Sequence, residues 1–365
     1  MTTIVLSAGG TGGHLFPAQA LAQEMLSRGR DVVVMTDSRG RNYGAAFPGA
    51  RVEAVPAATF ADRALLSRMF APLAILSGVF VGLGKLLRLK PAAVIGFGGY
   101  PSLPVMVAAW LGGFPTAIHE QNAVLGRVNR RMADHVRAVA ASLPLVRFAP
   151  KDAKRIVYTG NPVRPEAARL AGTAYEPPSR DGVIRILVFG GSQGAKILSE
   201  LVPDAIALMP EALKRRLEIV QQARPEDIEA TRAAYAKAAL KVELASFFND
   251  LPRRMARAHL VVSRSGASTI AELAAIGRPA VLIPYPFATD DHQTANAAVM
   301  ADAGAAVVAQ QRDLSAAKLA AILEDLLGSP EGLAQRAAAA RKLGIPDAAV
   351  RLADLVDGLG GMRPS

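Results

Sequence analysis

Polar and apolar positions repeat one pattern along this chain. Short apolar runs at Thr2–Ser7, Asp31–Thr36, Ala93–Ile95, Thr116–Ile118, Ile184–Phe189, Leu217–Gln221 and Lys241–Ala245 read as strands, and Leu15–Arg28 has helical periodicity ended by Gly29. The order strand, glycine-rich turn, helix, strand indicates a parallel, doubly wound α/β sheet. The pattern occurs twice. IVLSAGGTGG near the start and ILVFGGSQG at 186–194 both read apolar strand, Gly-Gly, hydroxyl residue, one residue, Gly. Residues 160–182 between the halves are rich in Pro and Gly without an apolar period, so they are the candidate linker. Two α/β domains facing one another across a cleft are therefore expected. The last stretch, Leu314–Leu359, is Ala-rich helix punctuated by Gly and Pro.

The most informative unit is Val261–Gln293. Leu260–Val262 ends a buried strand, Ser265-Gly266 turns, Ala267–Ile276 fits a helix stopped by Gly277 and Pro279, and Ala280–Pro284 restarts the strand pattern. The helix N-terminus carries only small residues, namely Ser265, Gly266, Ala267, Ser268 and Thr269. Its unpaired N–H groups and the positive end of the helix dipole can meet an anion closely there. Glu272 follows about one and a half turns in. It either accepts hydrogen bonds from vicinal hydroxyls, as on a ribose, or is a solvated helix residue. Phosphate at the turn and ribose on the acid together describe a nucleotide.

The first half offers three polar strand exits. Gly9-Gly10-Thr11-Gly12-Gly13-His14 follows the first strand, Gly96-Phe97-Gly98-Gly99 another, and His119-Glu120-Gln121-Asn122 a third. Ligands of parallel sheets bind at the carboxyl ends of strands, so the three would share one rim. Leu15 breaks the dinucleotide fingerprint, and no Gly-Lys-Ser/Thr occurs to make a phosphate loop of the Walker type. Four glycines in a row of five exceed what strand-to-helix packing needs. Asp290, Asp291 and His292 suggest metal ligation less than a helix cap, and without any Asp-x-Asp a metal-clamped diphosphate is not supported.

Composition narrows the partners. Lys and Arg outnumber Asp and Glu by eleven, so anions are expected: phosphates, lipid headgroups or nucleic acid. Few aromatics and no reader motif argue against nucleic acid. The absence of cysteine rules out disulfides and thiolate metal sites. The start, MTTIVLSAGG, lacks a basic region before its short apolar run and reads as a strand, so the chain is expected to stay in the cytoplasm. Met69–Gly84 is uncharged and flanked by Arg63, Arg68, Lys85, Arg88 and Lys90. It is shorter than a spanning helix and interrupted by Pro72, Gly78, Gly82 and Gly84. It is either a helix packed on the sheet or an apolar patch with a basic rim for an anionic bilayer.

Together these blocks resemble the MurG family of glycosyltransferases, which add N-acetylglucosamine to lipid I in bacterial peptidoglycan synthesis. The resemblance rests on GGTGGHLFPA (9–18), GFGGYPS (96–102), HEQN (119–122), GNPVR (160–164), GGSQGA (190–195), SRSGASTIAE (263–272) and DHQTANA (291–297), in family order across most of the chain. It implies a GT-B fold of two Rossmann-like domains. Residues 1–163 would form the acceptor- and membrane-facing domain with the C-terminal helix of 345–365 packing back on it, and 164–344 the UDP-sugar domain. It implies UDP-N-acetylglucosamine as donor, undecaprenyl-linked lipid I as acceptor, inversion at the anomeric carbon and no cofactor. It also implies a peripheral place on the cytoplasmic face of the inner membrane, with other cell-wall synthesis proteins as partners. By position, donor-binding residues fall on Thr11, Gly12, Gly13, Asn122, Arg164, Ser192 and Gln293, with His292 sharing or replacing Gln293. Ser265–Thr269 would hold the nucleotide, Glu272 its ribose, and Phe248 would present backbone and an apolar side chain to the uracil. His14 and Glu120 match residues near the reacting centre, and either is a candidate base. Another GT-B glycosyltransferase with a different acceptor, or a UDP-N-acetylglucosamine epimerase, are the alternatives.

Overall fold

The computed structural model describes residues 2–9, 12–37, 47–57, 65–191 and 194–361, and of 65–72 the backbone alone. The chain forms two compact units, Met1–Arg164 with Asp347–Ser365, and Pro165–Pro346.

In unit 1 the strands are β1 (Thr3–Ser7), β2 (Asp31–Thr36), β3 (Arg51–Ala54), β4 (Ala93–Gly96), β5 (Thr116–Glu120), β6 (Ala138–Ala141) and β7 (Ile156–Tyr158), in the order β3-β2-β1-β4-β5-β6-β7. Every pairing is parallel. The central strands are buried on both faces, because helices cover both: α1 (Gly12–Ser27) on one, α2 (Leu65–Leu89), α3 (Ser102–Leu111) and α4 (Arg127–Met132) on the other. The strands at 51–54, 138–141 and 156–158 are too short or too polar to register as apolar runs.

Unit 2 begins with α5 (Pro165–Leu170), a short helix inside the segment read as linker. Then come β8 (Ile184–Phe189), α6 (Lys196–Ala207), α7 (Glu211–Lys214), β9 (Leu217–Gln222), α8 (Ile228–Lys237), β10 (Val242–Ala245), α9 (Leu251–Arg257), β11 (Leu260–Ser263), α10 (Ala267–Ile276), β12 (Ala280–Leu282), α11 (His292–Asp302), β13 (Ala306–Val308), α12 (Ala316–Leu327) and α13 (Pro330–Leu343). The sheet order is β10-β9-β8-β11-β12-β13, again all parallel. The final helix, α14 (Ala348–Leu359), belongs to unit 1. It lays Leu352, Ala353 and Val356 into the β1 core. Arg28 and Arg30 fix it by ion pairs to the fully buried Asp357, and Arg28 also reaches Asp354.

The apolar segment with glycines is one unbroken 25-residue helix, α2. Its glycines serve packing. A Cβ at Gly78 would lie 2.9 Å from Pro104 Cβ, and one at Gly82 would lie 3.4 Å from Ala108 Cβ, so the pair lets α2 sit close on α3. The other face carries an exposed stripe of Leu73, Leu76, Phe80 and Leu87. Among the described residues no helix is long and apolar enough to cross a membrane. Of the basic rim, Lys85 and Arg88 pair with Glu53; Arg63 and the side chain of Arg68 lie outside the described residues.

Candidate functional site

The parallel order β1-β4-β5 brings three loops of unit 1 together at the carboxyl ends of adjacent strands. The turns after β1 and β4 interlock. A Cβ on Gly9 would stand 2.6 Å from Pro101 Cβ, and one on Gly99, where φ is +78°, would stand 2.6 Å from the Gly9 carbonyl. Only glycine allows both approaches. Gly12 and Gly13 open α1, and Thr11 lies outside the described residues. His14 is half-buried in the first turn of α1, and its Nδ1 is 3.1 Å from Gln121 Oε1.

Glu120, at the end of β5, is buried and holds the loop that follows it. Its Oε1 accepts from Asn122 N (3.0 Å) and Nδ2 (3.2 Å), and its Oε2 accepts from Gly126 N (2.8 Å) and Asn129 Nδ2 (2.9 Å). Both carboxylate oxygens thus have donors, which ties the Asn122–Gly126 loop and α4 to the strand. Asn122 is half-buried on that loop, and Arg164 is half-buried at the end of unit 1. His119 is fully buried. Burial drives its pKa down to about 4, the hydrogen bond to the Gly160 carbonyl works the other way, and the charge of His14 lowers it further.

In unit 2 the turn after β11 holds the second set. Gly266 is the N-cap of α10 with φ −63° and makes no side-chain cap. A Cβ there would meet nothing nearer than Thr269 Oγ1 at 4.0 Å, so packing does not demand the glycine. Gly266, Ala267 and Ser268 are half-buried, leaving the first-turn N–H groups of a ten-residue helix approachable. Ser265 is buried, and its hydroxyl donates to the Gln293 carbonyl (2.8 Å) while its own carbonyl accepts from Asn296 Nδ2 (3.1 Å). Its side chain therefore fastens α11 to the turn. Thr269 is buried, and Glu272 is only 4% exposed, which removes the reading of a solvated helix residue.

Gln293 Oε1 accepts from Tyr285 N (3.0 Å), so its NH₂ is the end left to donate elsewhere. His292, half-buried, donates from Nδ1 to the Thr289 carbonyl (2.8 Å). Asp291 occupies the N-cap position of α11 with φ +54°, and its side chain makes no capping hydrogen bond. Phe248 is buried, with the Arg254 guanidinium 4.3 Å from its ring centroid. Ser192 lies outside the described residues.

Three residues near these turns have no individual role assigned from the sequence alone. Asn129 lies seven positions beyond the HEQN block, and nothing in RVNRRM marks it. Arg264 is buried and donates to the carbonyls of Ile283 (3.0 Å) and Pro284 (3.0 Å) and to Gln311 Oε1 (2.8 Å), bracing the loop after β12. Gln121 bridges His14 and His119, and its place inside the polar HEQN run was the available signal.

Residues 4–141 match the glycosyltransferase family 28 N-terminal domain and residues 185–352 its C-terminal domain. The UDP-N-acetylglucosamine–N-acetylmuramyl-(pentapeptide) pyrophosphoryl-undecaprenol N-acetylglucosamine transferase of Paramagnetospirillum magneticum is 51% identical over 357 residues, covering 98% of this chain and 96% of that protein. The transferase of the same name from Chelativorans sp. (strain BNC1) is 49% identical over 361 residues, covering 98% and 95%. The crystal structure of Acinetobacter baumannii MurG matches with a TM-score of 0.82 at 32% identity, covering 98% of this chain and all of that one. The chain belongs to the MurG family. As a MurG-family member it has the GT-B type of α/β fold, two Rossmann-like domains with all-parallel sheets. Family 28 membership makes it a glycosyltransferase, and the strand-end turns of its two units carry the blocks through which the resemblance was read.

Proposed function

We propose that this protein transfers N-acetylglucosamine from UDP-N-acetylglucosamine to the C4 hydroxyl of lipid I, the undecaprenyl-diphosphate-linked N-acetylmuramyl pentapeptide, and so makes lipid II. The observation that carries the proposal is end-to-end identity near one half with relatives named for that transfer. The acceptor oxygen attacks C1 of the donor sugar from the face opposite the diphosphate. The C1–oxygen bond to phosphate breaks with its electron pair leaving on UDP, and the configuration inverts. The hydroxyl proton goes to His14. His14 is half-buried beside glycine turns, whereas Glu120 already accepts four hydrogen bonds, and this contrast supports the histidine as the base. A positioned base contributes about 10²–10⁴-fold.

The donor's nucleotide belongs at the N-terminus of α10. Packing does not require Gly266, and its missing side chain leaves room for a diphosphate over the N–H groups of Ala267 and Ser268. Those groups, together with the Arg164 charge, stabilise the leaving UDP. Glu272 takes the ribose hydroxyls, Thr269 lines the same turn, and Ser265 positions it. Gln293, through its NH₂, and His292 hold the sugar diphosphate. Thr11, Gly12, Gly13, Asn122 and Ser192 complete the donor contacts, and the Phe248 backbone faces the uracil.

The acceptor is bilayer-anchored, which gives the exposed stripe Leu73, Leu76, Phe80 and Leu87 its role. It seats the protein peripherally on the cytoplasmic face of the inner membrane, aided by a net charge of +11 against anionic headgroups. Other cell-wall synthesis proteins would meet it there.

The test is product analysis with UDP-N-acetylglucosamine and a lipid I analogue. A disaccharide product with release of UDP is expected, and His14→Ala should cut kcat by roughly 10²-fold or more. Consumption of the donor without acceptor would indicate an epimerase, and no product with lipid I would overturn the assignment.

A further inference from the structure

We infer that Gln121 and His119 are positioning residues that hold His14 in the Nδ1–H tautomer, leaving the Nε2 lone pair to take the acceptor's proton. The inference rests on the proposal that His14 is the base. Two backbone carbonyls, which can only accept, fix the first orientation. The Gln121 amide nitrogen lies 3.0 Å from the Phe97 carbonyl, 3.2 Å from the His119 carbonyl and 3.1 Å from His119 Nδ1. A backbone carbonyl never donates, so the NH₂ end of the amide must point at this group. The reversed amide would set its oxygen against two carbonyl oxygens. The orientation is therefore fixed, and Oε1 is turned toward His14 Nδ1 at 3.1 Å. An amide oxygen only accepts, so the hydrogen of neutral His14 sits on Nδ1.

His119 fixes the far end of the relay. Its Nε2 is 3.2 Å from the Gly160 carbonyl and must donate to it, with Ser142 Oγ a second acceptor at 3.2 Å. The Nδ1 of a neutral His119 is then a lone pair, which completes the acceptor set around the Gln121 amide. Full burial keeps His119 in that neutral form. The two histidines thus carry opposite tautomers, His119 with hydrogen on Nε2 and His14 with hydrogen on Nδ1. Three backbone carbonyls, those of Phe97, His119 and Gly160, dictate both. When His14 takes the acceptor's proton on Nε2, its Nδ1–H bond to Gln121 Oε1 becomes charge-assisted and strengthens at the moment it is needed. A buried carboxylate plays the orienting part in hydrolase triads, where disturbing the tautomer costs about 10⁴-fold in kcat. Here a neutral amide does so.

Nitrogen-15 NMR of the imidazoles at pH 8 tests the tautomers in the unaltered protein and needs no variant. His14 with hydrogen on Nδ1 and His119 with hydrogen on Nε2 are expected; His14 with hydrogen on Nε2 overturns the inference. Gln121→Met then removes the amide while keeping the side chain's length. We expect His14 to lose its single tautomer and kcat to fall about tenfold or more, a part of the roughly 10⁴-fold available, with the donor KM within about twofold. In a His14→Ala background the same substitution should change kcat no further, since residues acting as a unit are not additive. An equal loss in both backgrounds, or an unchanged kcat in the single variant, overturns it. The base assignment fails separately: His14→Ala would then retain full turnover, whatever tautomer the NMR reports.

Discussion

Mild acid should weaken unit 1 through one buried imidazole. His119 is wholly inaccessible, and its burial brings its pKa down to about 4, against 6.5 for an ordinary histidine. Between those two values the unfolded chain binds a proton that the folded chain refuses. Stability therefore falls as the pH falls, beginning near 6.5 and running to about 4. At 1.36 kcal/mol for each tenfold change, that interval corresponds to roughly 3 kcal/mol. A whole domain is stable by only about 5–15 kcal/mol, so the effect is measurable. The single tryptophan, Trp110, sits on α3 in unit 1 and reports that unit's unfolding by fluorescence. Urea titrations at pH 7, 5.5 and 4 should be run on the unaltered protein and on His119→Asn. The asparagine oxygen can still accept from Gln121 but does not titrate. The variant starts less stable because the Gly160 carbonyl loses its donor, about 1–3 kcal/mol. Its decline toward pH 4 should be shallower than that of the unaltered protein by roughly 3 kcal/mol. Parallel declines would show that His119 charges as readily folded as unfolded, and the argument from burial would fall. His259, whose pKa burial also lowers, lies in unit 2, apart from the unit that carries Trp110.

Three further outcomes follow from other parts of the molecule. Glu272→Gln should raise the donor KM about tenfold or more, the worth of a hydrogen bond to a charged group; an unchanged KM in steady-state kinetics would take Glu272 off the ribose. Arg28→Ala strips the fully buried Asp357 of one of its two cations and should destabilise the α14 attachment by about 3 kcal/mol. Faster hydrogen exchange in Ala348–Leu359 would register it, and unchanged protection would mean that Leu352 and Val356 hold the helix alone. Leu76→Ser with Phe80→Ser should weaken binding to anionic vesicles more than tenfold, since each buried apolar side chain is worth about 1.5–3 kcal/mol. Undiminished co-sedimentation would remove the stripe from the membrane.

The alternation of strand and helix was legible because parallel strands covered on both faces leave apolar runs, as Ile184–Phe189 does. Edge elements were not legible: β3 reads RVEA, with no residue fully buried, and β7 has only three residues. The glycines show most clearly where sequence reasoning stops. In a one-dimensional reading Gly9, Gly78, Gly99 and Gly266 are alike, since each only removes a side chain. What distinguishes them is what stands where the side chain would be. At Gly9 and Gly99 it is another turn of unit 1, and at Gly78 it is Pro104 and the Pro56 carbonyl. The excess of glycine after β1 is thus partly explained by two turns packing against each other, and α2 needs its glycine to pack on α3, where sequence suggested an interrupted helix. At Gly266 there is only open space above a helix N-terminus. Room at a helix N-terminus, where N–H groups lack partners within the helix, is what a bound anion needs, and that contrast makes the α10 turn the stronger of the two candidates for holding a diphosphate.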